Sequence, residues 1–438
     1  MSSPDPFAAA PATAQLPQGR LALLFAVTMV SAAGNTAMQS VMPAIGTKLH
    51  VPDFWINLAF CWSATLWMVC APKWARRSDR RGRKAMMAIG LGGFIASFLL
   101  CGGVLWLGLD GLVTGFATLV LFAVARSLFG GFASAAPPAV QAYGASRTAP
   151  EERTRALALV SSSFGLGTVV GPALAPLMVV PVLGLVGPFL GFASIGVVIL
   201  IALRLRLPDD APSYAARGGV VSAPYGAGAD PQIDAEAEAV LAPAHARLRW
   251  SDLRVRTWIV AGFTAGQAQA ALTGIAGFLV LDRLGLRGLP EAGASPIALV
   301  LMVGAVATLL AQWGLIPLLR LGPRAACLGG MALATLGTAL FAVAGNLHAI
   351  ALGFGLASLG FGLFRPGFTA GTSLAVTRAE QGEAAGITAA VNGSAYILAP
   401  AIGVWLYNHS PWLGFTAIAS LCLLVLIAGG RGMPPDRR

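Results

Sequence analysis

The 438-residue sequence contains few charged side chains. Only 11% of its residues are Asp, Glu, Lys or Arg, and 56% are hydrophobic, whereas a soluble domain carries roughly 25% charged residues. A soluble fold of this length could not cover its surface with so few charges, so lipid must surround most of the chain. The net charge of +11 does not indicate nucleic-acid binding, because the charges lie in short loops between apolar runs.

Residue types that bind metals or catalyse reactions are also scarce. The five cysteines lie within apolar runs without a CxxC spacing, and the four histidines are scattered, so neither a disulfide framework nor a metal site is indicated. The sequence has no GxxxxGK[ST] loop, which excludes an ATP-driven pump. A membrane enzyme, the rival from another class, would need a His, Asp or Glu cluster at one membrane face. No such cluster and no cofactor are predicted.

Twelve apolar runs are long enough to cross a bilayer, which requires about 20 residues per helix. A polar stretch without hydrophobic periodicity separates the first six from the last six. We therefore predict an all-α membrane protein of twelve transmembrane helices in two pseudo-symmetric six-helix bundles. The predicted parts are a disordered cytoplasmic tail (1–19), the first bundle (20–203), a cytoplasmic linker (204–256), the second bundle (257–430) and a C-terminal tail (431–438). The predicted spans are 21–45, 55–74, 85–108, 115–140, 156–180, 184–203, 257–281, 296–319, 325–345, 347–373, 384–407 and 413–430.

The distribution of basic residues predicts the orientation of these spans. If the N-terminus is cytoplasmic, 24 of the 29 Lys and Arg residues face the cytoplasm, and only Lys48, Arg283 and Arg287 face the opposite side. Because cytoplasmic loops carry the excess of Lys and Arg, both termini are predicted to be cytoplasmic. The preference for Arg over Lys and the many Ala and Gly residues favour a bacterium with a GC-rich genome, and therefore its inner membrane.

The loop between the second and third spans carries a specific motif. Residues 75–84 read ARRSDRRGRK, which resembles the GxxxDRxGR[RK] signature of the major facilitator superfamily, with Ala75 in place of the first Gly. Gly82 permits a tight turn. In the resembled family the carboxylate at the position of Asp79 approaches the start of the eleventh span. The resemblance therefore implies a role in gating for Asp79, Arg80, Gly82 and Arg83.

Two further motifs resemble those of proton-coupled drug and metabolite antiporters in this superfamily. Residues 167–172 read GTVVGP and resemble the GxxxGP motif of the fifth span. Gly167 and Gly171 lie on one helix face and allow close packing, and Pro172 removes a helical hydrogen bond and kinks the helix. We expect these three residues to take part in gating and conformational change. Arg126 begins an RxxxG pattern of the kind that these antiporters carry in the fourth span.

The eleventh span also resembles that of tetracycline-type exporters, because it begins with Gln381-Gly382-Glu383 and contains Ala399-Pro400. The resemblance covers nearly the whole chain except residues 1–19 and 204–256. It implies an exporter that exchanges a drug or metabolite for protons. It does not specify the substrate.

Two arginines lie inside predicted spans, Arg126 in the fourth and Arg365 in the tenth. A charge at mid-bilayer costs roughly 2.5–3.5 kcal/mol even on the lenient insertion scale, so both are candidates for holding an anionic group of the substrate. The planar fork of donors on a guanidinium suits this task. The alternative is a structural role, in which each Arg caps backbone carbonyls. Further polar side chains predicted to line the cavity are Asn35, Gln39, Gln267, Gln269, Asn392 and Tyr396.

No acidic residue lies in the middle of a predicted span. Many drug/proton antiporters hold a carboxylate in the first span, where this chain has Asn35 and Gln39. A neutral or anionic substrate is therefore favoured over a cationic one. The sequence predicts a monomeric secondary transporter that exports a small organic molecule, with protons as the coupling ion. The alternatives are an importer or facilitator on the same fold and a non-transporting receptor or assembly factor.

Overall fold

A computed structural model describes residues 17–146, 150–208, 248, 250–377 and 380–436. These residues form fourteen α-helices; a 3-10 turn (Ala133–Ala135) joins α4 to α5, and a π-helical turn (Leu310–Leu315) joins α9 to α10. The helices are α1 (Gln18–Lys48), α2 (Asp53–Arg81), α3 (Arg83–Leu109), α4 (Gly115–Phe132), α5 (Ala136–Ser146), α6 (Pro150–Met178), α7 (Gly187–Arg206), α8 (Leu253–Arg283), α9 (Pro290–Leu309), α10 (Ile316–Leu319), α11 (Pro323–Val343), α12 (Leu347–Leu374), α13 (Gln381–His409) and α14 (Pro411–Gly432).

The helices confirm the predicted twelve-span architecture. Within the described residues, eleven helical segments are long and apolar enough to cross a membrane, and the shorter apolar segment Ser162–Met178 of α6 takes the place of the fifth span. Helices α4 and α5 form one span (Gly115–Gly144), and α9 and α10 form another (Pro290–Leu319). Helical crossings satisfy every backbone hydrogen bond within lipid, which is why the length of an apolar run predicts them well.

The helices extend further at their ends than the predicted domain boundaries. Helix α7 continues to Arg206 and α8 begins at Leu253, whereas the sequence predicts a linker over 204–256. Asp252 caps the start of α8, because its side chain accepts the backbone N–H of Arg254 at 3.0 Å. This polar cap lies in a stretch without an apolar pattern, which is why hydropathy alone misses the start of α8. The predicted disordered tail lies outside the described residues except at its end, where α1 begins at Gln18.

Contacts between helix ends identify two faces of the molecule. At one face, Lys84 at the start of α3 donates to the carbonyl of Arg204 at the end of α7 (3.1 Å), and Arg324 at the start of α11 donates to the carbonyl of Gly430 near the end of α14 (2.7 Å). We name this the terminal face, because α1 begins and α14 ends there. The opposite, distal face carries the connections 49–52 and 284–289.

The first bundle is held together by close packing of α6 against α1. A Cβ atom added at Gly167 or Gly171 would overlap backbone carbonyl oxygens of α1. The hydroxyl of Thr36 in α1 donates to the carbonyl of Gly167 at 3.4 Å. The two backbones are thus in contact at the predicted glycine face, and Pro172 lies inside α6 one residue beyond it.

The turn between α2 and α3 is formed by Gly82, as the sequence predicts. Its backbone has φ +89° and ψ 143°, a conformation that residues with a Cβ atom rarely adopt. The N–H of Gly82 donates to the carbonyl of Ser78 at 3.1 Å and closes the end of α2. A glycine is therefore needed to reverse the chain within one residue.

Replacing Gly82 with alanine should strain this turn and lower the stability of the protein. A residue held in such a region of backbone conformation costs about 1–3 kcal/mol, so we expect a lower midpoint of thermal unfolding in detergent. Gly430→Ala is the matched control, because an added Cβ there has no atom within 4 Å and no positive φ. Equal midpoints for the two variants would show that the turn accommodates a side chain.

Candidate substrate site

Arg126 lies in the interior of the first bundle. This charged residue is only 2% exposed and lies within the membrane-spanning helix α4. Its Nη2 donates to Oδ1 of Asn35 in α1 at 2.5 Å, and its Nη1 lies 2.9 Å from the Sδ atom of Met38. Two candidates from separate spans, Arg126 and Asn35, are therefore in direct contact.

Aromatic rings enclose the guanidinium of Arg126. Its central carbon lies 4.4 Å from the ring centroid of Phe60 in α2 and 4.9 Å from that of Phe129 in α4, which is within cation–π range. The ring of Phe129 in turn packs against Trp67 and Phe98, with centroid separations of 5.3 and 6.3 Å. The rings stabilise the cation and exclude water, but they do not neutralise its charge.

Among the residues that the structure describes, the charge of Arg126 has no acidic counterpart. None of the ion pairs formed by described side chains includes Arg126, and its Nε atom is buried without a hydrogen-bond partner. Removing a lone charge from water is costly unless another group compensates it. The site is therefore suited to a ligand that brings a carboxylate or another anionic group.

Arg365 does not share this environment. The sequence predicts a second buried cation, but the side chain of Arg365 is exposed. Phe364 and Phe368 of α12 are buried in the core of the second bundle. Arg365 therefore projects from a different face of the helix. The expectation of two buried guanidinium groups holds for Arg126 alone.

The other predicted cavity side chains are partly accessible. Gln39 is half-buried and lies one helical turn from Asn35, on the same face of α1. In the described part of the chain, no hydrogen bond joins these polar side chains to one another. The remaining candidates are Gln267, Gln269 and Asn392, which are half-buried, and Tyr396, which is exposed.

The residues predicted to take part in gating are described only in part. The side chains of Asp79 and Arg80 lie outside the described part of the structure. Arg83 is half-buried at the first position of α3. Its position next to Gly82 agrees with the predicted turn, and the gating role of these residues stays a prediction.

Two glutamates lie at the start of α13 on the terminal face. Glu383 accepts the backbone N–H of Leu248 at 2.5 Å, and Glu380 forms an ion pair with Arg254 at 2.9 Å. The hydrogen bond from Arg254 lowers the pKa of Glu380 to about 2, so this carboxylate is charged at neutral pH. The beginning of α8 is thereby tied to the beginning of α13.

An ionic network at the distal face was not predicted from the sequence. Arg287 lies in the 3-10 turn Leu286–Gly288 that follows α8. It donates to both carboxylate oxygens of Asp53 at the start of α2, at 2.9 and 2.7 Å. It also donates to Asp282 at the end of α8 at 2.7 Å. We name Asp53, Asp282 and Arg287 the distal clasp. The sequence did contain a signal, because Arg287 is one of three basic residues on the side where few are expected.

Comparisons with known proteins agree with this architecture. Residues 24–320 match the family model described as Major Facilitator Superfamily. Multidrug resistance protein 2 of Bacillus subtilis (strain 168) is 31% identical over 133 residues, which are 30% of this chain and 30% of that protein. The match thus spans less than a third of that relative's length.

Solved transporter structures share the fold, among them three that overlap with nearly the whole of this chain. The D-xylose-proton symporter has a TM-score of 0.70 at 14% identity, over 95% of this chain and 98% of that chain. The nucleoside transporter NupG has a TM-score of 0.68 at 11% identity, over 94% and 100%. The human organic anion transporter MFSD10 (TETRAN) has a TM-score of 0.60 at 18% identity, over 94% and 100%. At these identities the likeness shows the fold alone.

Proposed function

Since the chain belongs to the Major Facilitator Superfamily, and is therefore a multi-pass membrane transporter of a small molecule, we propose that it is a proton-coupled exporter of small organic anions. The two bundles expose a central site alternately to the two sides of the membrane. The terminal face is cytoplasmic in this proposal, and the membrane is a bacterial inner membrane. The protein acts as a monomer.

The observation that carries the proposal is the buried guanidinium of Arg126, which has no acidic partner among the described side chains. A substrate carboxylate would supply the missing negative charge, with Asn35 holding one side of the guanidinium fork. Arg365, which belongs to the second bundle, would contact a further anionic group of the substrate. The remaining contacts are assigned to Gln39, Gln267, Gln269, Asn392 and Tyr396.

The names of two similar proteins support parts of this proposal. Export is favoured by the relative named as a multidrug resistance protein, and an anionic substrate by the structure named as an organic anion transporter. No carboxylate lies in the middle of a span, which disfavours a cationic substrate. The proton would therefore be carried by a group other than a mid-membrane acid.

Transport into proteoliposomes tests the proposal. The purified protein is reconstituted, and uptake of acidic, neutral and cationic compounds is measured with an imposed pH gradient of either sign. In vesicles whose terminal face points outward, an exporter that exchanges protons should accumulate an acidic compound when the lumen is acidic. Protein-free liposomes correct for passive movement of weak acids. Uptake of cations alone would contradict the proposal, and uptake driven only by an acidic exterior would indicate an importer.

Replacing Asp79 with asparagine should slow transport while leaving folding largely intact. In the proposed mechanism this carboxylate meets the free N–H groups at the start of α13, where a helix carries a partial positive charge. Asn retains the shape of Asp without its charge, so the variant loses this contact. The balance between the inward-open and outward-open states is then disturbed. Initial transport rates in proteoliposomes and monodisperse elution from a size-exclusion column are the two measurements. Full transport activity in the variant would refute this role for Asp79.

A further inference from the structure

We propose that the distal clasp is a latch that keeps the distal face closed and must break for that face to open. Asp53 belongs to the first bundle, whereas Arg287 and Asp282 belong to the second. The inference rests on the alternating movement of the bundles in the proposed function. It depends neither on the substrate nor on the direction of transport.

The clasp is anchored in the second bundle and reaches across to the first. Asp282 holds the Nε atom of Arg287 with one oxygen and accepts the hydroxyl of Tyr407 in α13 with the other, at 2.8 Å. The Nη1 and Nη2 atoms of Arg287 then form two parallel bonds with Asp53, the bidentate geometry that makes such pairs strong and directional. Nη1 of Arg287 also donates to the hydroxyl oxygen of Thr47 in α1, at 3.4 Å.

This geometry makes the clasp asymmetric when the bundles separate. Arg287 keeps Asp282 as its partner, because both residues move with the second bundle. Asp53 loses both of its bonds to Arg287 and is left as a carboxylate without a cation. Closure of the distal face therefore depends more on Asp53 than on Asp282.

Burial decides which of the ion pairs between the bundles controls closure. In the described structure there are two, and both lie at the distal face. The side chains of Arg287 and Asp53 are 34% and 8% exposed, whereas those of Lys48 and Glu291 are 42% and 57% exposed. Breaking a buried pair leaves an uncompensated charge, but exposed pairs contribute little. The Lys48–Glu291 pair is therefore a control for the clasp on the same face.

Distances between spin labels on the two bundles test the latch. Leu112→Cys labels the connection after α3 and Gly345→Cys the connection after α11, in a background in which the five native cysteines are replaced. Leu112 is 66% exposed, and an added Cβ at Gly345 has no atom within 4 Å. Both labels lie at the distal face, so their separation increases when this face opens. The measurement is made in nanodiscs without substrate.

We expect the parent protein to show mainly the short distance. Asp53→Asn and Arg287→Gln should each increase the ratio of long to short distances at least severalfold. The double variant should open no further than the single ones, because both remove the same interaction. Glu291→Gln should leave the ratio nearly unchanged. If Glu291→Gln opens the distal face as much as Asp53→Asn does, the latch is not the clasp.

Unchanged distances in the clasp variants would overturn the inference. Arg287→Lys covers the case in which the other variants do not fold, because it keeps the charge but cannot form two parallel bonds. It should give an intermediate ratio, and a parent-like ratio would also overturn the latch. If the clasp variants open the distal face while vesicles transport no anion, the latch stands and the proposed function alone fails.

Discussion

Replacing Arg126 with alanine should weaken the binding of an anionic substrate by about 2–5 kcal/mol, the usual cost of truncating one partner of a buried charge pair. This corresponds to an increase of roughly 30-fold or more in the dissociation constant. The effect is expected to be large because Arg126 is only 2% exposed and its charge has no acidic partner in the described structure. Isothermal titration of the best acidic compound from the transport panel provides the measurement.

Two companion variants separate substrate binding from a structural role of Arg126. Arg126→Lys keeps the positive charge but loses the planar fork, so it should also bind the anion poorly. Asn35→Asp would place a carboxylate at the position that accepts a 2.5 Å hydrogen bond from Nη2 of Arg126. An internal ion pair would then replace the substrate anion, and we expect a folded protein with little affinity for it.

The contrary outcome is equally clear. If Arg126→Ala and Asn35→Asp bind the acidic compound as tightly as the parent protein, or if only cations bind, then Arg126 is structural. Arg365→Ala should have a smaller effect than Arg126→Ala, because Arg126 is enclosed by the first bundle whereas the side chain of Arg365 is exposed. A larger effect at Arg365 would move the anion site into the second bundle.

Features that depend on local physics could be predicted from the sequence. The bilayer fixes the length of each apolar run, so the twelve spans follow from hydropathy. The positive φ of Gly82 follows from a motif that requires a tight turn. The contact of α6 with α1 follows from Gly167 and Gly171, since small residues at this spacing allow two helix backbones to touch.

Features that depend on the rotation of one helix relative to another could not be predicted. Arg126 and Arg365 are both arginines in apolar spans, yet only Arg126 is buried, because the rotation of α4 and α12 decides which face meets the core. The pairing of Asp53 with Arg287 joins residues 234 positions apart. Asp53 lies at a helix end and Arg287 in a short turn between helices, and charged residues are common at both kinds of position. Only the relative placement of the two bundles brings these charges together.

The backbone contact between α6 and α1 leads to the second prediction with a large expected effect. Replacing Gly171 with valine should prevent normal folding. A Cβ atom at this position would overlap the carbonyl oxygen of Ala33 and the hydroxyl of Thr36. The hydroxyl could rotate away, but the carbonyl belongs to the backbone of α1 and cannot move without displacing the helix. Overpacking typically costs about 1–3 kcal/mol and occasionally more. Because the overlap at Gly171 is with backbone rather than with a movable side chain, we expect a cost above this range.

Gly103→Val is the matched control for Gly171→Val. Gly103 also lies within a membrane helix, α3, but an added Cβ there has no atom within 4 Å. The intrinsic cost of valine in a helix is therefore common to both variants, and the difference between them reports the contact with α1. We expect Gly171→Val to lose most of its monodisperse protein on size exclusion, while Gly103→Val elutes like the parent. If Gly171→Val folds as well as Gly103→Val and only transport is lost, Gly171 serves the movement of the helices rather than their assembly.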